Sequence, residues 1–388
     1  MASLQKIFFL LIVSVIFLYN CANNKGDAFS KQIPGFVKDN IYLSRENIFS
    51  KEKAALGRYL FYDRRLSVNN TKACASCHAQ EFSFTDGYNR SIGAFGDLHQ
   101  RNAKPLINIV FERYLTAADS TIRFPEQQIN NPMFKEHPVE LGVKGNEERI
   151  LKRIRDDNYY QQQFKIAFPD ENDPININNI QYSITSFVKT IFSFDAPYDN
   201  YFFKNNLRAM NDEQLRGMKL FFSSNLNCSS CHGGINFSQP AVKNTEGVPI
   251  FYFNTGLYNI NEQGAYPVYD RGLAELTHNN TDMGKYKVPT LRNLAFTAPY
   301  FHDGSAATLN DVIETYENGG RNISSGPYKG DGRKNPYKHP LISGFSLNSQ
   351  KRKDLVNFLL SLSDSSVLKN PAYANPFIKD ETQSKSLY

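Results

Sequence analysis

The sequence carries one five-residue phrase twice, and this repetition constrains the chain more than any other feature. Cys74-Ala75-Ser76-Cys77-His78 returns as Cys228-Ser229-Ser230-Cys231-His232. Two thiols three positions apart, followed at once by a histidine, are typical of covalent haem c attachment, in which each thiol adds to a haem vinyl group and the imidazole binds the iron on its proximal side. The chain is therefore predicted to hold two haem c groups through Cys74, Cys77, His78, Cys228, Cys231 and His232.

A structural zinc site is the alternative, because two C-x-x-C pairs can supply four thiolates to one tetrahedral metal ion. Each pair here is followed by its own histidine, and the two pairs lie far apart in the sequence in similar surroundings. One zinc site requires neither feature. Haem attachment is the favoured interpretation.

The surroundings of the two motifs also repeat. The phrase from Leu56 to Phe61 precedes the first motif, and a similar phrase from Arg216 to Phe221 precedes the second. Each half then ends in an apolar pattern with helical spacing. The predicted core positions are Ile184, Phe187, Val188 and Ile191 in the first half and Leu355, Phe358, Leu359 and Leu362 in the second. The predicted fold class is mostly α, with two cytochrome c-like haem domains and loop-rich insertions.

The start of the chain predicts export. The apolar run from Ile7 to Tyr19 is too short for a comfortable membrane span but has the length of a signal-peptide core. The predicted segments are a signal peptide at 1–21, a polar linker at 22–40, an N-terminal haem domain at 41–205 and a C-terminal haem domain at 206–388, with the boundary near 200–212.

Cys21 is the only cysteine outside the haem motifs. With Leu18-Tyr19-Asn20 before it, Cys21 resembles the acylated residue of a bacterial lipoprotein; the alternative is an exported protein with a free thiol. Both interpretations place the chain in the periplasm or cell envelope. The formal net charge of +6 includes no lysine or arginine block, so no nucleic-acid partner is expected, and the lipid is the only predicted membrane contact.

Further phrases resemble the bacterial di-haem cytochrome c peroxidases and MauG. They are Leu56 to Phe61, Asp63 to Ser67, Arg101-Asn102 before Pro105-Leu106, Lys287 to Asn293, and Thr297 to Gly304. The resemblance implies an enzyme that reduces hydrogen peroxide at the first haem, with electrons that a small c-type cytochrome or copper protein delivers through the second. The alternative within the family is a MauG-like oxidase that uses peroxide to oxidise a partner protein through a high-valent di-haem state.

The resemblance also implies residues beside the first haem. Family members that need reductive activation place a ligating histidine where this chain has Ala94, so the iron is expected to be open to peroxide. Gln127 and Glu140 match the family's catalytic glutamine and glutamate. The interval between them is longer than usual, which leaves Glu136 as a rival. His99 is either a substitute ligand or a loop histidine. A plain electron-carrying cytochrome is the hypothesis from another class, and Ala94 argues against it.

At the second haem, Tyr316 stands where electron-storing peroxidases place a methionine and MauG places a tyrosine. Met283 is the remaining thioether candidate. Methionine raises a haem's potential, whereas an anionic oxygen ligand favours oxidised iron. The family's calcium ion, held partly by carbonyl oxygens, maps onto Asn102, Thr297 and Pro299. The family's tryptophan between the haems has no counterpart, since this chain contains no tryptophan.

Overall fold

The computed structural model describes residue 29, residues 33–37 and residues 41–378. The predicted signal segment, Cys21 and most of the predicted linker lie outside the described residues. The helices numbered in chain order are α1 Lys51–Tyr62, α2 Pro125–Gln128, α3 Asn130–Phe134, α4 Glu147–Arg155, α5 Asn158–Ala167, α6 Ile177–Val188, α7 Pro197–Phe202, α8 Asp212–Phe221, α9 Cys228–Cys231, α10 Ala274–Thr277, α11 Leu309–Glu317 and α12 Ser349–Leu360. The mostly α fold that the sequence predicts is confirmed. Over the described ranges, no helix has the length and apolar character that crossing a membrane requires.

Short 3₁₀ helices and two small sheets organise the long connections. The 3₁₀ helices are Gly35–Val37, Arg64–Leu66, Cys74–Ser76, Gln80–Phe82, Ile109–Phe111, Asn280–Asp282, Leu294–Phe296, Gly332–Lys334 and Ser365–Lys369. Strand β1 (Tyr252–Asn254) pairs antiparallel with β2 (Lys285–Lys287), and β3 (Asn322–Ile323) pairs antiparallel with β4 (Gly330–Asp331). In the described part, both sheets therefore belong to the second half, where they fix the loops that follow the second haem motif.

The longer helices begin where a polar side chain satisfies a free backbone N–H group of the first turn. Ser50 caps α1 in this way, and Thr308 caps α11 through a reciprocal pair with Asp311. The remaining caps of this kind are Asp157, Asn176, Asn211 and Asn348. Local sequence therefore fixes where these helices start.

The repeated phrase before each haem motif forms a helix that crosses the closing helix of the same half at a glycine. A Cβ atom at Gly57 of α1 would lie 1.8 Å from the carbonyl oxygen of Ser183 in α6, and one at Gly217 of α8 would lie 1.9 Å from that of Asp354 in α12. Only glycine permits this approach. All eight core positions predicted on the closing segments are buried.

Most buried apolar side chains gather into a first core and a second core, and two smaller clusters lie beside them. The first core contains residues of α1, α4, α5 and α6, and the second contains residues of α7, α8, α11 and α12. Two segments pack across the predicted boundary at 205. Tyr198 of α7 joins the second core, while Val367 and Tyr373 return to the first. The division at 205 stays a prediction, and the contacts show that the halves exchange short segments.

A buried polar seam, the Glu112 seam, joins the two halves. The Glu112 carboxylate accepts hydrogen bonds from Asn236 Nδ2 at 2.9 Å and Ser238 Oγ at 2.6 Å, and it forms an ion pair with Lys287. One acidic side chain of the first half is thus satisfied by three donors of the second. Such a group is costly to separate from its partners once it is buried.

The glycine crossing yields a prediction. Gly217→Ala is expected to lower the free energy of unfolding by about 1–3 kcal/mol, because overpacking at the crossing outweighs the gain in helix propensity. Gly35→Ala is the matched control, since a Cβ atom there meets nothing within 4 Å, and a change within about 0.5 kcal/mol is expected. Urea unfolding followed by circular dichroism measures both. Equal stability of Gly217→Ala and the wild type would contradict the close packing.

Candidate active site

Both C-x-x-C-H motifs fold as a short helical turn that directs the histidine in the same way. The first forms the 3₁₀ helix Cys74–Ser76 and the second forms α9. His78 Nδ1 donates to the carbonyl oxygen of Phe84 at 2.9 Å, and His232 Nδ1 donates to that of Phe237 at 2.9 Å. A carbonyl can only accept, so the proton sits on Nδ1 in both rings. Each Nε2 therefore keeps its lone pair for a metal.

The protonation of these histidines also suits metal binding. Burial lowers the pKa of His78 below its usual range and lowers the pKa of His232 to about 4. Burial acts this way because it disfavours the charged imidazolium. Both rings are therefore neutral near pH 7, which is the form that binds iron.

The thiols do not form the zinc site that the sequence left as an alternative. Over the part of the chain that the structure describes, no three histidine, cysteine, aspartate or glutamate side chains are grouped as metal ligands. Burial raises the pKa of Cys74 to about 12 and of Cys77 to about 11, with values of about 12 for Cys228 and about 11 for Cys231. The four thiols are therefore two separate pairs, each followed by its own histidine, as attachment of two haems requires.

A cavity of about 280 Å³ opens beside the second motif and shares its walls between the two halves. His232 and Tyr316 both line it. The phenol of Tyr316 has no hydrogen bond to any described residue, and burial raises its pKa above the ordinary value. Met283 is not part of the cavity wall; it packs against the cluster of Leu257 and Tyr258. The geometry therefore supports Tyr316 over Met283 as the group that faces a haem here.

One wall of the cavity is cationic. Arg101 is paired with Asp270, and Lys287 belongs to the Glu112 seam. Lys104 has no carboxylate partner among the described residues and donates only to the carbonyl oxygen of Leu115 at 3.1 Å. Burial, reinforced by Lys287, lowers the pKa of Lys104 to about 7. Lys104 is partly buried and lacks a carboxylate partner among the described residues, so this wall fits a ligand that carries carboxylates, as haem does.

Lys104 was missed by the sequence reasoning. The signal available was a charged residue inside the otherwise uncharged phrase Ala103-Lys104-Pro105-Leu106. Nothing in the local pattern distinguishes this lysine from a surface residue, because its burial depends on loops of the second half. The contact that identifies it is tertiary.

Beside the first motif, Glu140 and His99 form a pair. His99 Nε2 donates to Glu140 Oε1 at 3.2 Å, with side chains that are 28% and 23% exposed. The backbone N–H of Arg101 donates to His99 Nδ1, which fixes the tautomer. The Glu140 charge acts on the first motif, where it contributes to the raised pKa of the Cys77 thiol after burial. Glu140 and His99 are therefore titratable groups near the first haem motif, together with Asp86.

Ala94 lies next to the same segment. Its backbone N–H donates to the carbonyl oxygens of Val139 and Glu140, and its own carbonyl accepts from Asn69 Nδ2 at 2.7 Å. The loop that contains Ala94 is thus held against the residue expected to move protons. A methyl group at this position leaves no ligating atom.

Gln127, the predicted catalytic glutamine, forms no hydrogen bond with Glu140 or His99, and its catalytic role stays a prediction. Its side chain is exposed, and its Oε1 accepts from the backbone N–H groups of Arg123 at 2.9 Å and Phe124 at 3.1 Å, at the start of α2. The longer interval before Glu140 folds as α2 and α3, and this turns Gln127 outward. The rival Glu136 is also on the surface, in an ion pair with Lys144 at 2.7 Å. The side chain that forms a hydrogen bond with Glu140 is that of His99.

The residues expected to bind calcium are brought together. Asn102, Thr297 and Pro299 all line the cavity beside the second motif. The backbone N–H of Asn102 donates to the carbonyl oxygen of His302 at 2.8 Å, and its Nδ2 donates to that of Tyr88 at 2.7 Å. The Oδ1 atom of Asn102 accepts no hydrogen bond from the described residues. Free oxygen atoms of this kind suit a calcium ion.

Comparison with known proteins places this geometry in context. Residues 51–207 match the family model described as di-haem cytochrome c peroxidase. The cytochrome-c peroxidase IdrP1 of Denitromonas iodatirespirans is 31% identical over 82% of this chain and 83% of its own length. The methylamine utilization protein MauG of Methylorubrum extorquens is 26% identical over 82% of this chain and 80% of its own length. A crystal structure described as a MauG-like protein associated with microbial copper homeostasis is 39% identical, covers 89% of this chain and 99% of its own, and has a TM-score of 0.84.

The two motifs predict the haem content. The double variant Cys228→Ala and Cys231→Ala is expected to carry one covalently bound haem where the wild type carries two, because the first motif is built from residues of its own half. Intact mass and the haem absorbance of the denatured protein measure this number. Ser229→Ala with Ser230→Ala is the matched control and keeps both haems. Retention of two covalent haems in the cysteine variant would refute the assignment.

Proposed function

Because this chain belongs to the bacterial family of di-haem cytochrome c peroxidases and MauG proteins, we propose that it is an exported peroxidase that reduces hydrogen peroxide to water with electrons from a small redox protein. The observation that carries this proposal is the Glu140 and His99 pair beside the first C-x-x-C-H motif, with Ala94 in place of a ligand. The chain is an oxidoreductase of the haem c class, which excludes a plain electron carrier.

The residues of the two motifs fit haem c. Cys74, Cys77 and His78 would hold the first haem, and the second would be held by Cys228, Cys231 and His232. When bound, haem supplies the iron chemistry needed to cleave the O–O bond of peroxide. The protein's own contribution is to fix both imidazoles through their Nδ1 hydrogen bonds and to set which distal groups reach each haem.

Proton transfer at the first haem is assigned to Glu140. Cleavage of peroxide to water requires a base that takes a proton from one oxygen and an acid that returns it to the leaving oxygen, and one carboxylate can do both. His99 Nε2–H, 3.2 Å from Glu140 Oε1, orients the carboxylate. His99 is therefore proposed as a positioning residue in place of Gln127, whose amide oxygen is used as a helix cap.

Tyr316 is proposed as the distal ligand of the second haem. Its phenol lines the cavity without a hydrogen-bond partner among the described residues, so ligation to iron would give the phenol oxygen a partner. An oxygen ligand would favour oxidised iron.

A calcium ion is proposed at Asn102, Thr297 and Pro299. The support is that one side-chain oxygen and the two residues of the Thr297 to Pro299 segment line the same cavity. A cation here would lie beside the Arg101 and Lys104 wall, so its stability depends on the carboxylates of the bound haem.

Export to the periplasm or cell envelope is proposed from the apolar segment at 7–19. The more specific proposal is that a lipid on Cys21 anchors the exported protein to the membrane. The electron donor is proposed to be a small c-type cytochrome or copper protein.

The second candidate function is a MauG-like oxidase that acts on a partner protein. Tyr316 at the second cavity favours it, and so does the likeness to a MauG-like protein along nearly the whole chain. The missing tryptophan opposes it. Rapid turnover with a reduced cytochrome supports the peroxidase, whereas an oxidised state that persists for minutes after peroxide without a donor supports the oxidase.

The role of Glu140 yields a prediction. Glu140→Gln is expected to slow the reaction of the oxidised protein with one equivalent of peroxide by about 10²–10⁴, because the amide cannot exchange the proton. Stopped-flow absorbance without reductant measures the rate. Glu136→Gln is the control, since Glu136 pairs with Lys144 on the surface, and its rate should equal that of the wild type. If Glu136→Gln reacted slowly with peroxide and Glu140→Gln reacted as fast as the wild type, the catalytic role would belong to Glu136.

The ligand of the second haem yields another prediction. Tyr316→Met is expected to raise the reduction potential of the second haem, because a thioether stabilises reduced iron better than an oxygen ligand does. A spectroelectrochemical titration measures the potential. Met283→Leu is the matched control and should leave it unchanged, since Met283 is outside the cavity wall. A large change in Met283→Leu alone would assign ligation to Met283.

A further inference from the structure

Five tyrosine rings, the tyrosine chain, run from the cavity to the surface of the second half. The ring centroids of Tyr286 and Tyr266 are 6.1 Å apart, those of Tyr266 and Tyr258 are 5.3 Å apart, those of Tyr258 and Tyr328 are 5.8 Å apart, and those of Tyr328 and Tyr269 are 6.3 Å apart. Each ring is therefore in contact distance of the next.

The inner end of the chain lies at the haem cavity. Tyr286 lines the cavity and stacks on His302, with ring centroids 3.6 Å apart and an interplanar angle of 15°. The outer end, formed by Tyr328 and Tyr269, is partly exposed, and the Arg90 guanidinium lies 5.6 Å from the Tyr269 ring. Tyr258 and Tyr266 between the ends are buried.

The phenol groups are placed for loss of a proton. Tyr286 OH donates to Asp270 Oδ1 at 2.8 Å, and Tyr258 OH donates to Asp303 Oδ2 at 2.7 Å. Tyr266 OH donates to Asn254 Oδ1 at 2.9 Å. A phenol that loses an electron becomes a strong acid, so an acceptor oxygen within hydrogen-bond distance is what its oxidation requires. Each of the two carboxylates also forms an ion pair, Asp270 with Arg101 and Asp303 with Arg321, so each acceptor oxygen is held in place beside its phenol.

We propose that the tyrosine chain conducts electrons one at a time from the Tyr269 and Tyr328 pair to the cavity beside His302 while peroxide is reduced. This proposal rests on the peroxide chemistry of the proposed function. The pair at the surface is then the site at which an external one-electron donor, such as the small redox protein, is oxidised. Because the chain contains no tryptophan, tyrosine supplies its most readily oxidised aromatic rings.

The steps balance. Reduction of one peroxide molecule to two water molecules consumes two electrons and two protons. Each electron leaves a phenol while its proton shifts along the hydrogen bond to the acceptor oxygen, and this proton returns to the same phenol when the next tyrosine supplies an electron. The partly exposed outer pair exchanges its proton with solvent, which also supplies the two protons that peroxide consumes. The last radical, on Tyr328 or Tyr269, is reduced by one electron from the external donor. Two donors are oxidised for each peroxide.

The experiment mixes the oxidised protein, carrying both haems, with one equivalent of peroxide and a nitroso spin trap, without a donor. Digestion and mass spectrometry locate the trapped residue, and the peroxide consumed is measured in the same sample. The adduct is expected on Tyr269 or Tyr328. Tyr258→Phe removes the O–H group at the middle of the chain while keeping the ring, and the adduct should be lost.

Two further variants make the outcome decisive. Tyr328→Phe alters only the partly exposed end, so it tests the path without a buried substitution, and the adduct on Tyr269 should be lost. Tyr300→Phe is the control, because Tyr300 lines the same cavity but is not in the chain, and its adduct should match the wild type. An adduct that persists in Tyr258→Phe and Tyr328→Phe, or one found only elsewhere, with peroxide consumed, overturns the path alone. Failure to consume peroxide overturns the path and the proposed function together.

Discussion

The Glu112 carboxylate is the interaction on which the relative position of the two haem motifs depends. It belongs to the first half, and its three partners, Asn236, Ser238 and Lys287, belong to the second. A buried carboxylate that loses its partners costs several kcal/mol, so the halves cannot slide without a large penalty. Lys287 is also followed directly by Val288 and Pro289, which line the cavity at His232. The same seam that joins the halves therefore shapes the second site.

The two halves share one packing arrangement, and they differ in the residues near each haem motif. These differences are the basis of the proposed function. Gly57 and Gly217 let a helix cross the closing helix of its own half, and each proximal histidine donates to a nearby carbonyl oxygen. The distal sides are not alike. The first motif faces the Glu140 and His99 pair, which can move protons, whereas the second shares its cavity with Tyr316. The proposed peroxidase activity would use this division, with peroxide reduced at the first haem and electrons delivered through the second.

The charges around the second cavity explain why it suits haem rather than an apolar ligand. Arg101 and Lys287 are neutralised by protein carboxylates, but Lys104 is not. An anionic group that enters the cavity would give Lys104 the charge partner that the described residues do not supply. The Tyr286 ring, 5.7 Å from the Arg101 guanidinium, leads into the tyrosine chain, in which Tyr286 and Tyr258 donate to the carboxylates of Asp270 and Asp303. The cavity therefore has positively charged residues that can bind carboxylates, and it lies at the inner end of the tyrosine chain.

Local spacing along the chain was enough to predict the features that depend on residues close together in the sequence. Cys74, Cys77 and His78 lie within a single turn, so haem attachment can be predicted from the sequence without knowledge of the tertiary structure. Helical spacing likewise identified the buried face of the closing helices, because the period of an α-helix is a local property. The repeated phrase before each motif predicted the duplication.

Tertiary structure decided the contacts between loops of variable length. Gln127 matched the family phrase, yet α2 and α3 turn it outward and leave His99 as the neighbour of Glu140. The burial of Lys104 depends on loops of the second half that local sequence does not position. The tyrosine chain joins residues from Tyr258 to Tyr328 that show no common pattern along the chain. Such contacts form only when distant segments are brought together, and packing, not local spacing, selects them.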